Sequence, residues 1–440
     1  MRRSAIVLFL SALGGCATQP GITSTNDAGS TPGNDAASIA NDAGGSTGPV
    51  TYYGEVRPIL AEHCVGCHTS GGIAPIPLDT YEAAAPMAAL IESYTASRRM
   101  PPFLADNSGA CQHFDTNDWL SDAELATLAA WNAQHAPEGD PATPPPIVAE
   151  VPHLTGAGVQ TIDIGTDYVP SAARNDDYRC FVVQAPRGGY LTGAEVHPGN
   201  ARMVHHVIVY APQDAASAQR IMALDANEAG PGYTCFGGSG DDAALPVVLW
   251  APGAGAVRMP TGTGLQIDGT LPLIVQVHYN LVGAQPGDTD HSTVDVLIED
   301  NAIPGYYLPV ANLGFQAPPR MSATTSSFDF PFGQYYLSNL PGGLSQVHFY
   351  SISPHMHTLG TDIRVDMLGG GGSADQCMVH IPRWDFNWQR GYAYQHQVPV
   401  DGDTVMRITC TWDTSSRDTT VTWGEGTQDE MCLAFVYVSI

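Results

Sequence analysis

Cys64-Val65-Gly66-Cys67-His68 sets two thiols at C-x-x-C spacing and an imidazole directly after the second. This is the pattern of a covalent haem attachment site. The thiols form thioethers to the haem vinyl groups, and His68 binds iron from the proximal side. Covalent attachment suits an exported protein, because the cofactor cannot diffuse away. A redox C-x-x-C or half of a zinc site uses the same residue types. For the opposite face of the iron, Arg98-Arg99-Met100-Pro101-Pro102 offers Met100, whose thioether favours the ferrous state. Met87 and His113 compete for that position.

Three further groups stand out among the 15 histidines: His205-His206, His278, and His355-Met356-His357. On a strand, residues i and i+2 share a face, so His355 and His357 can pinch one ion. Adjacent His205 and His206 point to opposite faces, so a shared metal requires a bend, a bulge or a strand end there. His278, on another strand, supplies a third imidazole. Three neutral nitrogens suit copper and zinc alike.

Two kinds of scaffold must hold these groups. From Tyr52 to about Pro141 the chain reads as helical. Val56, Ile59, Leu60 and His63 recur at helix spacing before Cys64. Ser121-Asp122-Ala123-Glu124 is a capping-box signal, followed by Leu125, Leu128 and Ala129 on one face. Residues 51–141 are therefore expected to form a small all-α haem domain, with a proline-rich linker over 142–153. After Leu154, short runs of β-branched and aromatic residues alternate with Gly and Pro clusters: 161–164, 204–210, 273–279, 293–298, 347–352, 363–367, 405–412 and 433–438. That spacing predicts two all-β antiparallel, jelly-roll-like sandwich domains, over 154–305 and 306–440.

The start of the chain reads as an export signal. Arg2 and Arg3 precede an apolar run, Ala5 to Leu13, too short to span a bilayer. Leu13-Gly14-Gly15-Cys16 resembles a bacterial lipobox. The resemblance implies lipidation of Cys16 and, with Ala17 after it, an outer-membrane-anchored lipoprotein, periplasmic or at the cell surface. The membrane is then met only through the lipid. Residues 17–50 are small and polar and predict a flexible tether with a reach of roughly 30 Å. With 17 Lys and Arg against 44 Asp and Glu, the formal net charge is −27. Such a surface excludes nucleic acid as a partner and would favour a basic redox partner.

His-His on a strand, a later Val277-His278-Tyr279, then His355-x-His357, then Asp429-Glu430-Met431-Cys432 closely resembles the copper type II monooxygenases over roughly residues 160–440. Residues 52–140 resemble a class I cytochrome c. The first resemblance implies two coppers, one per sandwich, facing across a solvent-filled cleft. One would be held by His205, His206 and His278 and would store and pass an electron. The other, held by His355, His357 and the sulfur of Met431, would bind O₂ and substrate. Cys410–Cys432 and Cys180–Cys235 match family disulfides. With Cys16, Cys64 and Cys67 set aside, Cys111 and Cys377 remain, and the even count predicts a bond between them. The peptide-processing branch has an arginine and a tyrosine gripping a carboxylate where this chain has Ser353 and Phe435. That argues against a peptide ending in glycine and for a neutral or aromatic small substrate.

The expected function is hydroxylation of a C–H bond with O₂, the covalent haem c relaying electrons from a periplasmic donor to the all-His copper. A non-catalytic copper–haem electron carrier or copper-binding surface lipoprotein, and a zinc hydrolase, are the competing readings.

Overall fold

The computed structural model describes residues 48–440, apart from 71–73, 75, 116–118, 147–152, 157, 172–175, 237, 242, 252–253, 282–283, 286, 341–342, 370–373, 387 and 425–428. The expected signal, Cys16 and the tether up to residue 47 lie outside the described residues, as does part of the 142–153 linker.

Residues 52–136 form short helices around a core of their own, with Tyr52, Val56, Leu60, Leu78, Leu128 and Trp131 buried together. Ile59 and Leu60 are buried on the helix Arg57–His63, which ends at Cys64. The expected capping box is present. Ser121 Oγ accepts from the Glu124 N–H, and the Glu124 carboxylate accepts from the Ser121 N–H, opening the helix Asp122–Ala133. Such a cap is worth about 1 kcal/mol.

The expected runs after residue 154 are all strands, shifted only at their ends. They build three main sheets. The largest runs Val159–Asp163, Thr293–Glu299, Gly189–His197, Thr263–Ile267, Ile303–Ala311, Leu433–Ser439, Gln346–His355, Tyr392–Asp401, with Val257–Arg258 on the third. A second sheet orders Tyr233–Thr234, Asp176–Gln184, Pro272–Asn280, Val204–Pro212 and Ala244–Trp250. The third orders Thr324–Phe330, Val405–Trp412, Gly360–Leu368 and Gln376–Ile381. Thr263–Ile267 pairs in parallel with Ile303–Ala311, and the other ladders between described strands are antiparallel. The helix Ala215–Ala226, capped by Asp214 accepting from the Ser217 N–H, was not foreseen.

Two β cores result, and they share strands. Alternation along Leu433–Ser439 sends Ala434, Val436 and Val438 into one core and Phe435 and Tyr437 toward the other. Ile303–Ala311 does the same with Val310 and Leu308 against Tyr307. The expected division between 305 and 306 falls inside this strand. The cores are separated by the faces of shared strands rather than by a linker.

The helical segment is welded to the second β core. Phe103, Leu104, Ala105 and Phe114 belong to that core. The Asp106 N–H donates to His380 O at 2.8 Å, and the Asp115 N–H to Ala393 O at 2.8 Å. The three expected disulfides are all formed: Cys180–Cys235, Cys410–Cys432 and Cys111–Cys377. The last closes a loop spanning 266 residues. Loop-closure entropy sets its contribution on the order of 5 kcal/mol. A Cys111→Ser, Cys377→Ser chain is therefore expected to unfold at clearly lower denaturant. An unchanged midpoint would remove the bond from the stability argument.

Candidate metal and haem centres

His205 and His206 lie on Val204–Pro212, beside Pro272–Asn280, which carries His278. His206 and His278 are register partners, and a bulge interrupts the register between Val204 and His206. This is the irregularity that adjacent histidines need in order to share an ion. The side-chain donor atoms of His205, His206 and His278 lie within 4.8 Å of one another. His278 Nε2 is 3.0 Å from Asp176 Oδ1. A carboxylate only accepts, so Nε2 carries the proton and Nδ1 the lone pair. That Nδ1 faces His206 Nδ1 at 3.3 Å. Tyr178 stacks on His278 at 4.0 Å between centroids and 9°. His205 Nδ1 is buried and has no hydrogen-bond partner. An orphaned buried nitrogen beside two convergent imidazoles fits a metal ion.

The second group sits where the large sheet ends. His355 is the last residue of its strand, which runs past the expected end at Ile352, and pairs with Leu433. Continuing that antiparallel register brings His357 and Met431 to the same end of the sheet. The His355 and His357 rings are 5.1 Å apart and nearly perpendicular, at 87°. His357 Nδ1 is 3.2 Å from Asp429 O, an acceptor, which leaves the lone pair on Nε2. Met431 is buried. Glu430, fully buried, accepts from the His357 N–H at 3.1 Å, the Leu359 N–H and the Trp412 indole N–H at 3.0 Å. It clamps the H-x-H turn to the Met431 segment. Burial pushes its carboxyl up to about 7, against the pull of those donors.

Burial holds the imidazoles neutral, the form that ligates metal. Burial and then the charge of His355 take His205 down to about 4. Burial and then His357 take His355 down to about 3. Burial also keeps His206 and His278 well below the ordinary value. The resemblance implied a solvent-filled cleft between the two groups. Here the Phe386 ring stacks on His205 at 4.8 Å and meets His357 edge-on at 6.0 Å.

In the helical segment, the Cys67 and His68 N–H groups both donate to Cys64 O, closing a tight turn. Cys64 and Cys67 are free thiols. His68 Nδ1 lies 2.7 Å from Ile76 O, so it carries the proton and Nε2 keeps the lone pair that an iron needs. Burial pushes the Cys64 thiol up to about 12. Among the described residues, Cys64 joins no convergent group of three donors. These residues fit covalent haem. Met100 is half-buried and belongs to neither neighbouring core, its N–H donating to Tyr94 O at 3.2 Å. Met87 packs against the helical core. The His113 ring lies against Gly109, where a Cβ would meet it at 2.8 Å and φ is +87°.

Asp176, Phe386, Gln389 and Glu430 escaped the sequence reading as parts of the site. Only Glu430 had a signal, its place beside Met431. Replacing Asp176 by Ala is expected to cost the first site roughly 10–100-fold in copper affinity, read by metal titration. Unchanged affinity would make the carboxylate a bystander.

Residues 338–438 match the family described as copper type II ascorbate-dependent monooxygenase, C-terminal domain. Among individual relatives, the chain is similar to tyramine beta-hydroxylase of Caenorhabditis briggsae, 24% identical over 255 residues, covering 55% of this chain and 40% of that protein. It is similar to dopamine beta-hydroxylase of Bos taurus, 24% identical over 301 residues, covering 64% of this chain and 47% of that protein. The chain thus spans less than half the length of these relatives. These likenesses support the copper monooxygenase family. The family match lies in the β part of the fold and includes His355, His357 and Met431.

Proposed function

We propose that the chain is a copper-dependent monooxygenase that hydroxylates a C–H bond of a small organic substrate with O₂, drawing electrons through its own c-type haem. The observation that carries the reading is the convergence of His205, His206 and His278, with an orphaned buried nitrogen, in the same fold as the His355–His357–Met431 group. His205, His206 and His278 would hold one copper, the last through Nδ1. His355, His357 through Nε2, and the Met431 sulfur would hold the other. Copper in such sites supplies one-electron steps and O₂ activation, and a thioether favours its reduced state. Around them the protein's own groups set tautomers and exclude water: Asp176 for His278, Asp429 O for His357, Phe386 over His205. Cys64, Cys67 and His68 would hold the haem, with Met100 as its sixth ligand.

Ser353 and Phe435 are opposite each other on neighbouring strands. They offer no charge to a peptide carboxylate, so a neutral or aromatic substrate fits better. The aromatic amines in the names of both relatives agree with that class. Export and lipid attachment at Cys16 complete the proposal. Three disulfides fit an exported chain, and no described helix is long and apolar enough to cross a membrane.

The test is metal and haem content together with O₂ uptake against aromatic and aliphatic substrates. Two coppers per haem and O₂ consumption matched by hydroxylated product are expected. Loaded protein that consumes no O₂ with any of them would be an electron carrier instead. Zinc in protein made without added metal would point to a hydrolase.

A further inference from the structure

One short loop, between the strands Gln376–Ile381 and Tyr392–Asp401, touches histidines of both proposed copper sites and the helical segment. At its start, the Arg383 guanidinium donates to Arg98 O at 2.8 Å, two residues before Met100. Next, the Trp384 indole N–H donates to His357 O at 3.2 Å. Phe386 lies on His205 and His357. Gln389 Oε1 is 2.5 Å from His355 Nδ1. At its end, the Arg390 guanidinium lies over the Phe103 ring at 5.3 Å, and Phe103 comes from the helical segment.

The Gln389 contact has a defined polarity. Its Nε2 donates to Phe386 O at 2.9 Å. That bond fixes the amide, because a carbonyl accepts only from the nitrogen end. The oxygen end must therefore face His355, so His355 Nδ1 carries the proton and Nε2 keeps the lone pair. Within the proposed copper reading, we infer that Gln389 is the positioning residue that sets the tautomer and ring angle of His355. The loop carrying it is held at both ends by the helical haem-bearing segment, through Arg98 with Arg383 and Phe103 with Arg390. Docking of that segment therefore bears on the geometry of the His355–His357–Met431 site. The tautomer of His278, in the first site, is set separately by Asp176.

The test uses the full chain and copper titration followed by electron paramagnetic resonance of Cu(II). The first site and the haem absorbance serve as internal controls of folding. Gln389→Leu, which removes the acceptor, is expected to weaken the second copper roughly 10–100-fold and change its hyperfine pattern. Gln389→Glu keeps an acceptor and should stay within a few-fold of the parent. Arg390→Ala should weaken the second copper in the same direction. Equal second-site affinity in parent and Gln389→Leu would overturn the positioning role. An unaffected second site in Arg390→Ala would overturn the link to the haem-bearing segment. A parent chain binding no copper at all would instead be a failure of the monooxygenase reading itself.

Discussion

Met431→Leu is expected to abolish hydroxylation while leaving the fold in place. The expected fall is at least about 10³-fold, or about 4 kcal/mol of barrier. Leucine matches methionine in volume, and such swaps in a core cost under about 1.5 kcal/mol. The surroundings also protect the position. Cys432, next along the chain, is tied to Cys410, and Glu430, just before, holds the His357 and Leu359 N–H groups. What leucine removes is the sulfur, the soft donor that favours reduced copper. Product formation per folded protein is the measurement. Turnover within a few-fold of the parent would take Met431 out of the site.

Cys64→Ser with Cys67→Ser is expected to remove haem entirely from denatured, extracted protein, because no thioether can form. The second readout is more informative. Turnover supported by a haem-directed protein donor should disappear, while turnover supported by a small diffusible reductant should persist. If the protein donor still drives hydroxylation in the haem-free chain, the relay is sunk and the haem has another task. The Cys111–Cys377 bond and the backbone bonds of Asp106 and Asp115 hold the helical segment against the β unit, so the loss cannot be blamed on undocking.

What the sequence disclosed, and what it withheld, follows from the range of each interaction. The capping box at Ser121 and the strand runs are local patterns, and those elements are present as read. The need for an irregularity at His205-His206 was deducible from side-chain alternation, and a bulge is found there. The three cysteine pairs were reached partly by resemblance and partly by counting. The partners of the ligands were hidden because they come from afar: Asp176 lies 102 residues from His278, and Gln389 lies 34 from His355. Glutamine and phenylalanine carry no motif of their own. The sharing of strands between the cores was hidden for a different reason. A strand buried on both faces reads like any apolar run, so nothing in Ile303–Ala311 betrays that it serves two cores.

That double service limits how such a chain can be recombined. Grafting the C-terminal half of a relative after residue 305 would cut the strand Ile303–Ala311 in two. It would also ask a foreign Leu433–Ser439 equivalent to fill pockets in a core it never met, while a truncated half would bare unpaired strand edges prone to aggregation. Chimaeras that exchange the loop Arg383–Arg390 or the loops bearing the histidines leave that spine intact. Variation in substrate is therefore more accessible at the ends of the strands than by swapping halves.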